Sequence, residues 1–589
     1  MRSFIVALAA AFGTTVGAAS LADVCTTTYL QSILPTADLY AGAVALTIDP
    51  ASVTANDVYN SSSSNNVMWP DTVVSYCNVT FAYSNPGRNN SVHVWYGLPA
   101  PSAFKNRYLS SGGGGYAINS GSGDFPGGIQ YGAVTGATDA GFGSFTTQFD
   151  AVFPLQNGTA NYESLYMFGY EAHHELTTIG KQLTKSFYAL QNGTKLYAYY
   201  QGCSEGGREG FSQVQRFGDE WDGAVIGAPA LRFSHQQIQH SFPNLVEIEY
   251  DYYPSSCEFE KILNETIKAC DPLDGKSDGV VGRSDLCKLQ FNANSTVGMA
   301  YSCAASTGGG GFAKRQMMGG SATPVPAQNG TVSAQAAAIV NKIWAGMKDS
   351  AGQQVYFSYQ PGSALDDAAT AYDSTTGTWG LSINTMGSEF VQRFVKLLNT
   401  SSFDSLDGIT YDTLKDWMVE GWQAYEDTLQ TTWPDLTPFQ QAGGKVLHYH
   451  GESDFSIPTA SSVRYHNSVR EIMYGNMTYN ASLSALSDWY KLYLVPGAGH
   501  CSDNAAQPNG PFPQTNLAVL IDWVENGNAP TTLNATILQG DLKGTNQQIC
   551  EFPTRPLWSG NGTVMNCVYD QTSLDTWYYD LNAFKMPVY

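Results

Sequence analysis

Two cysteines constrain this chain more than any other pair of residues. Cys203 stands directly before Ser204, and Cys501 directly after His500. A disulfide demands Cα atoms roughly 4.4–6.8 Å apart, so joining these two would force a serine hydroxyl and an imidazole into neighbouring positions. The bond would close a loop of about 300 residues, an effect of about 5 kcal/mol in the chain-entropy model. The serine also sits in a motif. The apolar run Leu196-Tyr-Ala-Tyr-Tyr200 reads as a strand and breaks at Gly202-Cys203-Ser204-Glu205-Gly206, a G-x-S-x-G pattern that opens a helix to about Phe217. Flanking glycines let the backbone turn sharply enough to lift the hydroxyl above the end of a sheet. The pattern alone is common in a chain with 59 glycines, and it is the cysteine beside the serine that gives it weight.

A serine hydroxyl is a weak nucleophile and needs a base within hydrogen-bond reach, itself oriented by a carboxylate. Two strand ends supply these groups. Gly443–His450 runs into Gly451-Glu-Ser-Asp454, and Tyr490–Pro496 into Gly497-Ala-Gly-His-Cys501. The order Ser204, Asp454, His500 is that of the α/β-hydrolases. A strand at Arg107–Ser111 ends in Gly112-Gly-Gly-Gly115, where backbone N–H groups of Gly114 or Gly115 can join that of Glu205 to hold an oxyanion. In the Pro-free helical stretch 161–190, His173-His174-Glu175 could suggest a metal. Adjacent histidines point to different faces, and the H-E-x-x-H spacing is absent, so a solvated helix face is expected.

The helix–strand alternation up to Pro229 implies a mostly parallel α/β sheet. It stops between about Leu231 and Gln441, where four cysteines, a Gly/Ser-rich run at Ala304–Thr323 and helices at Ala334–Lys348, Ser388–Leu398 and Tyr411–Leu429 indicate an inserted domain. The chain therefore divides into a catalytic domain, 20–230 and 442–589, and an insertion, 231–441. Residues 1–22 read as a signal peptide, with residues 1–19 as the leader, so a secreted, extracellular protein is expected. No later run reaches the roughly 20 apolar residues of a membrane span. Lys+Arg 29 against Asp+Glu 51, a net charge of −22, argues against nucleic acid and anionic membranes as partners. Ten cysteines without a C-x-x-C pair favour disulfides over metal ligation. Beyond 203–501 the pairs are taken as 25–77, 257–303, 270–287 and 550–567, although spacing alone leaves the connectivity open. Asn-x-Ser/Thr sequons from Asn60 to Asn561 agree with a glycoprotein.

The stretches Gly-Cys-Ser-Glu-Gly-Gly-Arg-Glu-Gly, His-Gly-Glu-Ser-Asp and Gly-Ala-Gly-His-Cys resemble the serine–aspartate–histidine set with a cysteine pair that marks the tannase and feruloyl esterase family. The likeness runs over essentially the whole mature chain. It is nearest to the fungal tannases, as Ala269-Cys-Asp-Pro-Leu-Asp-Gly275 and Ala583-Phe-Lys-Met-Pro-Val-Tyr589 indicate. The resemblance implies an α/β-hydrolase fold with a large inserted lid domain and hydrolysis of galloyl esters and depsides of tannins. Feruloyl or other aromatic-acid ester hydrolysis is the alternative, and an inactive binding glycoprotein a distant one. It also implies a structural Ca²⁺ in the lid. Within 270–282, Asp271, Asp274 and Asp278, with backbone carbonyls of Lys276 and Val280, offer hard oxygen, although Gly282 stands where an EF-hand has its glutamate. Lys314-Arg315 in the Gly/Ser-rich run invites processing, and the resemblance implies two chains held by disulfides. Trp344, Trp379, Trp417 and Trp422 could stack on an aromatic acid, but tryptophans more often fill a core.

Overall fold

The computed structural model describes residues 20–35, 39–42, 44–63, 67–152, 159–305 and 324–589. The leader at 1–19 and Lys314-Arg315 lie outside them. Nine strands form the central sheet: β1 Thr47–Ser62, β2 Val73–Ser84, β3 Val92–Pro99, β4 Arg107–Ser111, β5 Ala133–Thr138, β6 Tyr197–Cys203, β7 Gly223–Gly227, β8 Lys445–Gly451 and β9 Tyr490–Val495. Their spatial order is 9-8-7-6-4-5-3-2-1. Neighbours from β9 to β5 are parallel, whereas β5–β3, β3–β2 and β2–β1 are antiparallel, so the sheet is mixed. The parallel half reads as unbroken apolar or small residues, such as Ala198-Tyr-Tyr200, because helices cover both faces. β1 is long, bulged and at the edge, and most of it is exposed or half-exposed.

The helical stretch expected over 161–190 forms in three pieces: Tyr162–Tyr166, a π turn Met167–Glu171, and α1 Ala172–Phe187. Side chains from the next helix, α2 Glu205–Arg216, account for the interruption. Arg208 donates to the carbonyls of Phe168 (3.0 Å) and Gly169 (2.9 Å), and Gln213 to that of Tyr170 (2.9 Å), so carbonyls released from the regular ladder find partners. His173, His174 and Glu175 are buried, which corrects the expected solvated face. His174 stacks on Phe217, and Glu175 accepts from Tyr83 Oη (2.5 Å) and Asn85 Nδ2 (2.7 Å). These partners come from other segments, so the helical spacing of residues 161–190 could not reveal them.

β7 and β8 are parallel neighbours, yet the chain leaves the sheet between them and returns at Lys445. The excursion begins with α3 Phe233–Gln239 and includes helices Phe242–Tyr250, Ser256–Cys270, Ala334–Trp344 and Tyr411–Tyr425. Its apolar side chains, among them Phe233, Phe242, Ile343 and Phe390, belong to one continuous cluster with Val79, Phe81 and Leu176 of the sheet half and with Trp577 near the C-terminus. The segment is packed into the body of the molecule. α4 Asn516–Asn526 covers β7 and β8 and ends at Gly527, whose φ of 76° continues the chain in a conformation that favours glycine. All ten cysteines are paired, as 25–77, 203–501, 257–303, 270–287 and 550–567. Among the described residues no helix is long and apolar enough to cross a membrane.

Candidate active site

Ser204 occupies the turn between β6 and α2 with φ 64° and ψ −123°, a strained conformation for a residue with a side chain. The turn is tied down on all sides: Ser204 N donates to Gly227 O (3.1 Å), and Ser204 O accepts from the amides of Arg208 and Ala230, both at 3.0 Å. The motif glycines are required by close approach. A Cβ on Gly202 would lie 2.5 Å from Gly206 O, and one on Gly206 would lie 2.7 Å from Gly113 O.

The loops after β8 and β9 bring the other two groups to this serine. His500 Nε2 is 2.8 Å from Ser204 Oγ, and His500 Nδ1 is 2.8 Å from Asp454 Oδ2. A carboxylate can only accept, so Nδ1 carries the proton and Nε2 is free to take one from the serine. Cys203 and Cys501 are bonded with Cα atoms 6.0 Å apart, so the staple closes beside this relay. Asp454 Oδ1 accepts from the amides of Ser456 and Ile457, each at 2.8 Å.

A second imidazole also touches this carboxylate. His450 Nε2 lies 3.1 Å from Asp454 Oδ2 and 3.0 Å from Ile457 O, and its Nδ1 meets Ser462 Oγ at 2.7 Å. Both neighbours of Nε2 are acceptors, so that nitrogen holds the hydrogen. Burial by itself favours the neutral form of Asp454. Its interaction with His500 and the hydrogen bonds from His450 and His500 outweigh it and hold the carboxyl well below the usual range. Sequence reasoning missed His450. The available signal was His448-Tyr-His450 on a strand, where alternate residues share a face, and Ser462 Oγ does meet both rings.

The Glu205 N–H lies in the first turn of α2, where helices leave amides without a partner in the helix. Gly114 does not share its expected role. Its amide donates to Ala117 O at 3.2 Å and closes a turn, which leaves Gly115, at φ 64°, as the candidate in the loop. The Glu205 side chain is fully buried, and burial pushes it up to about 8 although Arg208 Nε donates to it at 2.7 Å.

α3 contacts both the glycine loop and the Asp454 loop. Tyr116 Oη, beside the glycine loop, is 3.5 Å from Gln237 Oε1, and Gln236 Nε2 is 3.5 Å from Ser456 O on the Asp454 loop. One turn on, His240 Nδ1 meets Asp367 Oδ1 at 2.8 Å, and Tyr359 Oη also bonds Asp367. These buried polar groups gave no periodic signal in the sequence. The tryptophans behave as packing residues: Trp344 lies against Phe291, Trp379 against Tyr372 and Trp417 against Phe403, while Trp422 packs on His235 and Phe584.

In the acidic loop, Asp271 Oδ1 accepts from the amides of Asp278 (2.9 Å) and Val280 (3.3 Å), and Asp274 Oδ1 from that of Lys276 (2.9 Å). Lys276 Nζ pairs with Asp278 Oδ2 at 2.7 Å. Among the described residues no three His, Cys, Asp or Glu side chains converge as a metal group. Burial, with the charges of Asp278 and Asp271 added, pushes Asp274 up to about 7. Gly282 is needed here, since a Cβ would sit 2.1 Å from Asp274 Oδ2.

A sequence model described as tannase and feruloyl esterase matches residues 77–573. The tannase of Aspergillus oryzae is 50% identical over 100% of this chain and 99% of its own length, and a probable feruloyl esterase B-1 of the same fungus is 31% identical over 79% and 78%. Among solved structures, the tannin acyl hydrolase from Aspergillus niger superposes with a TM-score of 0.92 at 58% identity, covering 97% of this chain and 99% of that one. Feruloyl esterase B from Aspergillus oryzae gives 0.65 at 25%, covering 89% and 97%. The chain belongs to the tannase and feruloyl esterase family, whose members are carboxylic ester hydrolases.

Proposed function

We propose that the protein is a secreted serine esterase of the α/β-hydrolase fold, with 231–441 as its lid, that cleaves galloyl ester and depside bonds of tannins and releases gallic acid. The observation that carries it is the hydrogen-bonded line from Ser204 Oγ through His500 to Asp454. Ser204 Oγ attacks the ester carbonyl while His500 Nε2 takes its proton. The oxyanion is received by the amides of Glu205 and Gly115. His500 then gives the proton to the leaving alcohol, and the acyl group stays on Ser204 Oγ. Water, deprotonated by His500, resolves the acyl-enzyme, and Asp454 holds the imidazole in the required tautomer throughout.

The galloyl preference rests on the greater identity to a tannase than to feruloyl esterases. Rates on methyl gallate and methyl ferulate decide between the two, with gallate at least about 10²-fold preferred if polar pairing sets the choice. Ser204→Ala should lower kcat by roughly 10⁴-fold or more with the fold intact, and unchanged turnover would refute the triad.

The same proposal includes a structural Ca²⁺ held by Asp271, Asp274, Asp278 and the carbonyls of Lys276 and Val280, locking the loop without a part in the reaction. A chelator should then lower Tm and added Ca²⁺ restore it, an effect absent in Asp274→Asn. Cleavage at Lys314-Arg315 would leave two chains joined through Cys203–Cys501, separable by mass only after reduction.

A further inference from the structure

His173 and Glu209 form a fully buried pair that the reaction above leaves unused. We propose that Glu209, backed by His173, is a positioning residue that holds the Gly112–Gly115 loop against α2 and so sets the oxyanion site. The inference rests on the serine-esterase reading of Ser204. Glu209 Oε2 accepts from Gly113 N at 3.0 Å and lies 3.1 Å from His173 Nε2, and Tyr200 Oη, 3.3 Å away, makes its shorter bond, 2.7 Å, to Gly206 O. The opposite side of the same glycine is also fixed by α2, because Gly206 N donates to Gly113 O at 3.1 Å. The loop and the helix are in contact: a Cβ on Gly112 would lie 2.5 Å from Gly206 Cα and 2.8 Å from Glu209 Oε2.

His173 completes the clamp. Its Nε2 is 3.2 Å from Ile118 O as well as near Glu209, and both are acceptors, so Nε2 carries the hydrogen. One carboxylate–imidazole unit thereby grips both limbs of the loop, at Gly113 and at Ile118, with Gly115 between them. A carboxylate suits the position because it accepts several donors at once, and of these the Gly113 amide would be orphaned without it, whereas His173 keeps Ile118 O and Tyr200 keeps Gly206 O. An amide nitrogen displaced by even a fraction of its hydrogen-bond length loses most of its value to a developing oxyanion, since such donors act by being fixed beforehand.

The test is steady-state kinetics on methyl gallate with Glu209→Ala, Glu209→Asp and Glu209→Gln, together with inhibition by an aryl boronic acid, which forms a tetrahedral adduct on a catalytic serine, and by gallic acid. Alanine and aspartate should lower kcat by about 10²–10³-fold, the usual effect of losing an oxyanion donor, with KM little changed. Glutamine, which keeps an acceptor in reach of Gly113, should recover most of that loss. Boronate affinity should fall with kcat while gallic acid affinity holds. Wild-type kcat in both alanine and aspartate variants would overturn the inference, as would a kcat loss with unchanged boronate affinity. If alanine does not fold, aspartate decides. Ser204→Ala run alongside separates the two failures: an active Ser204→Ala refutes the serine reading, whereas an inactive one beside normal Glu209 variants refutes only the clamp.

Discussion

Asp454 and Glu452 stand two residues apart at the end of β8, both shut away from water, and they face different parts of the molecule. Asp454 turns to two imidazoles and two backbone amides. Glu452 turns to permanent partners: Arg555 Nη2 and Ser284 Oγ both bond its Oε2, and Arg555 reaches on to Asp285, which also binds Arg283 and Ser573. Burial raises the Glu452 carboxyl, and Arg555 opposes this only in part, whereas the histidines carry Asp454 the other way. The same loop thus holds an acid whose partners can exchange a proton and an acid whose partners cannot. In the proposed reaction the first serves steps in which charge appears and disappears. The second joins β8 to the inserted segment, through Ser284 and Asp285, and to the C-terminal segment, through Arg555 and Ser573.

If that division is right, the two acids fail differently when changed. Asp454→Asn should leave the fold in place but lower kcat about 10⁴-fold on methyl gallate, because the amide favours the wrong imidazole tautomer. Arg555→Met should do the reverse. Stranding Glu452 and Asp285 without their guanidinium should remove about 3–5 kcal/mol of stability in a urea titration, with kcat of the folded fraction within a few-fold of wild type. A drop in kcat comparable to that of Asp454→Asn would erase the distinction. His450→Phe sharpens the comparison from the catalytic side: loss of a hydrogen bond to a buried carboxylate should cost about 1.5–3 kcal/mol, divided between stability and kcat.

The smallest effect is the pH dependence of unfolding, where the two acids act with opposite sign. Asp454, depressed in the folded state, contributes stability that is present above the ordinary carboxylate range and is lost as pH falls. Glu452, raised in the folded state, contributes stability that grows as pH falls toward that range and is lost as pH rises through its folded value. Asp454→Asn should therefore be less acid-sensitive than wild type below about pH 4, and Glu452→Gln more acid-sensitive between about pH 7 and 4. Equal slopes would show that neither carboxyl is perturbed as described.

Local pattern made the strands and the strand-end residues readable. Apolar runs at Tyr197, Gly223, Lys445 and Tyr490 lie in the parallel half of the sheet, and the helix Asn516–Asn526 ends where its glycine stop placed it. The Cys203 and Cys501 pair constrained the site most, because a covalent bond sets a distance limit that composition and periodicity do not. Where the reading failed, the decisive partner was one that spacing does not reveal. His173-His174-Glu175 sits on a helix whose covering groups, Glu209, Phe217, Tyr83 and Asn85, belong to other elements. Gly114 was indistinguishable from Gly115 until a turn to Ala117 took its amide.

By itself, then, the sequence determined the chemistry available: a serine at a glycine-flanked turn, an aspartate and a histidine at later strand ends, and a cysteine beside two of them. Covalent linkage and backbone sterics are local properties, and a chain order preserves them. Only the tertiary structure decided that His500 lies between Ser204 and Asp454 while His450 bonds the same carboxylate, that the Gly114 amide closes a turn to Ala117, and that residues 231–441 share a core with the sheet. Those outcomes depend on burial and on which donor meets which acceptor across the fold, and neither is a property of any one stretch of chain.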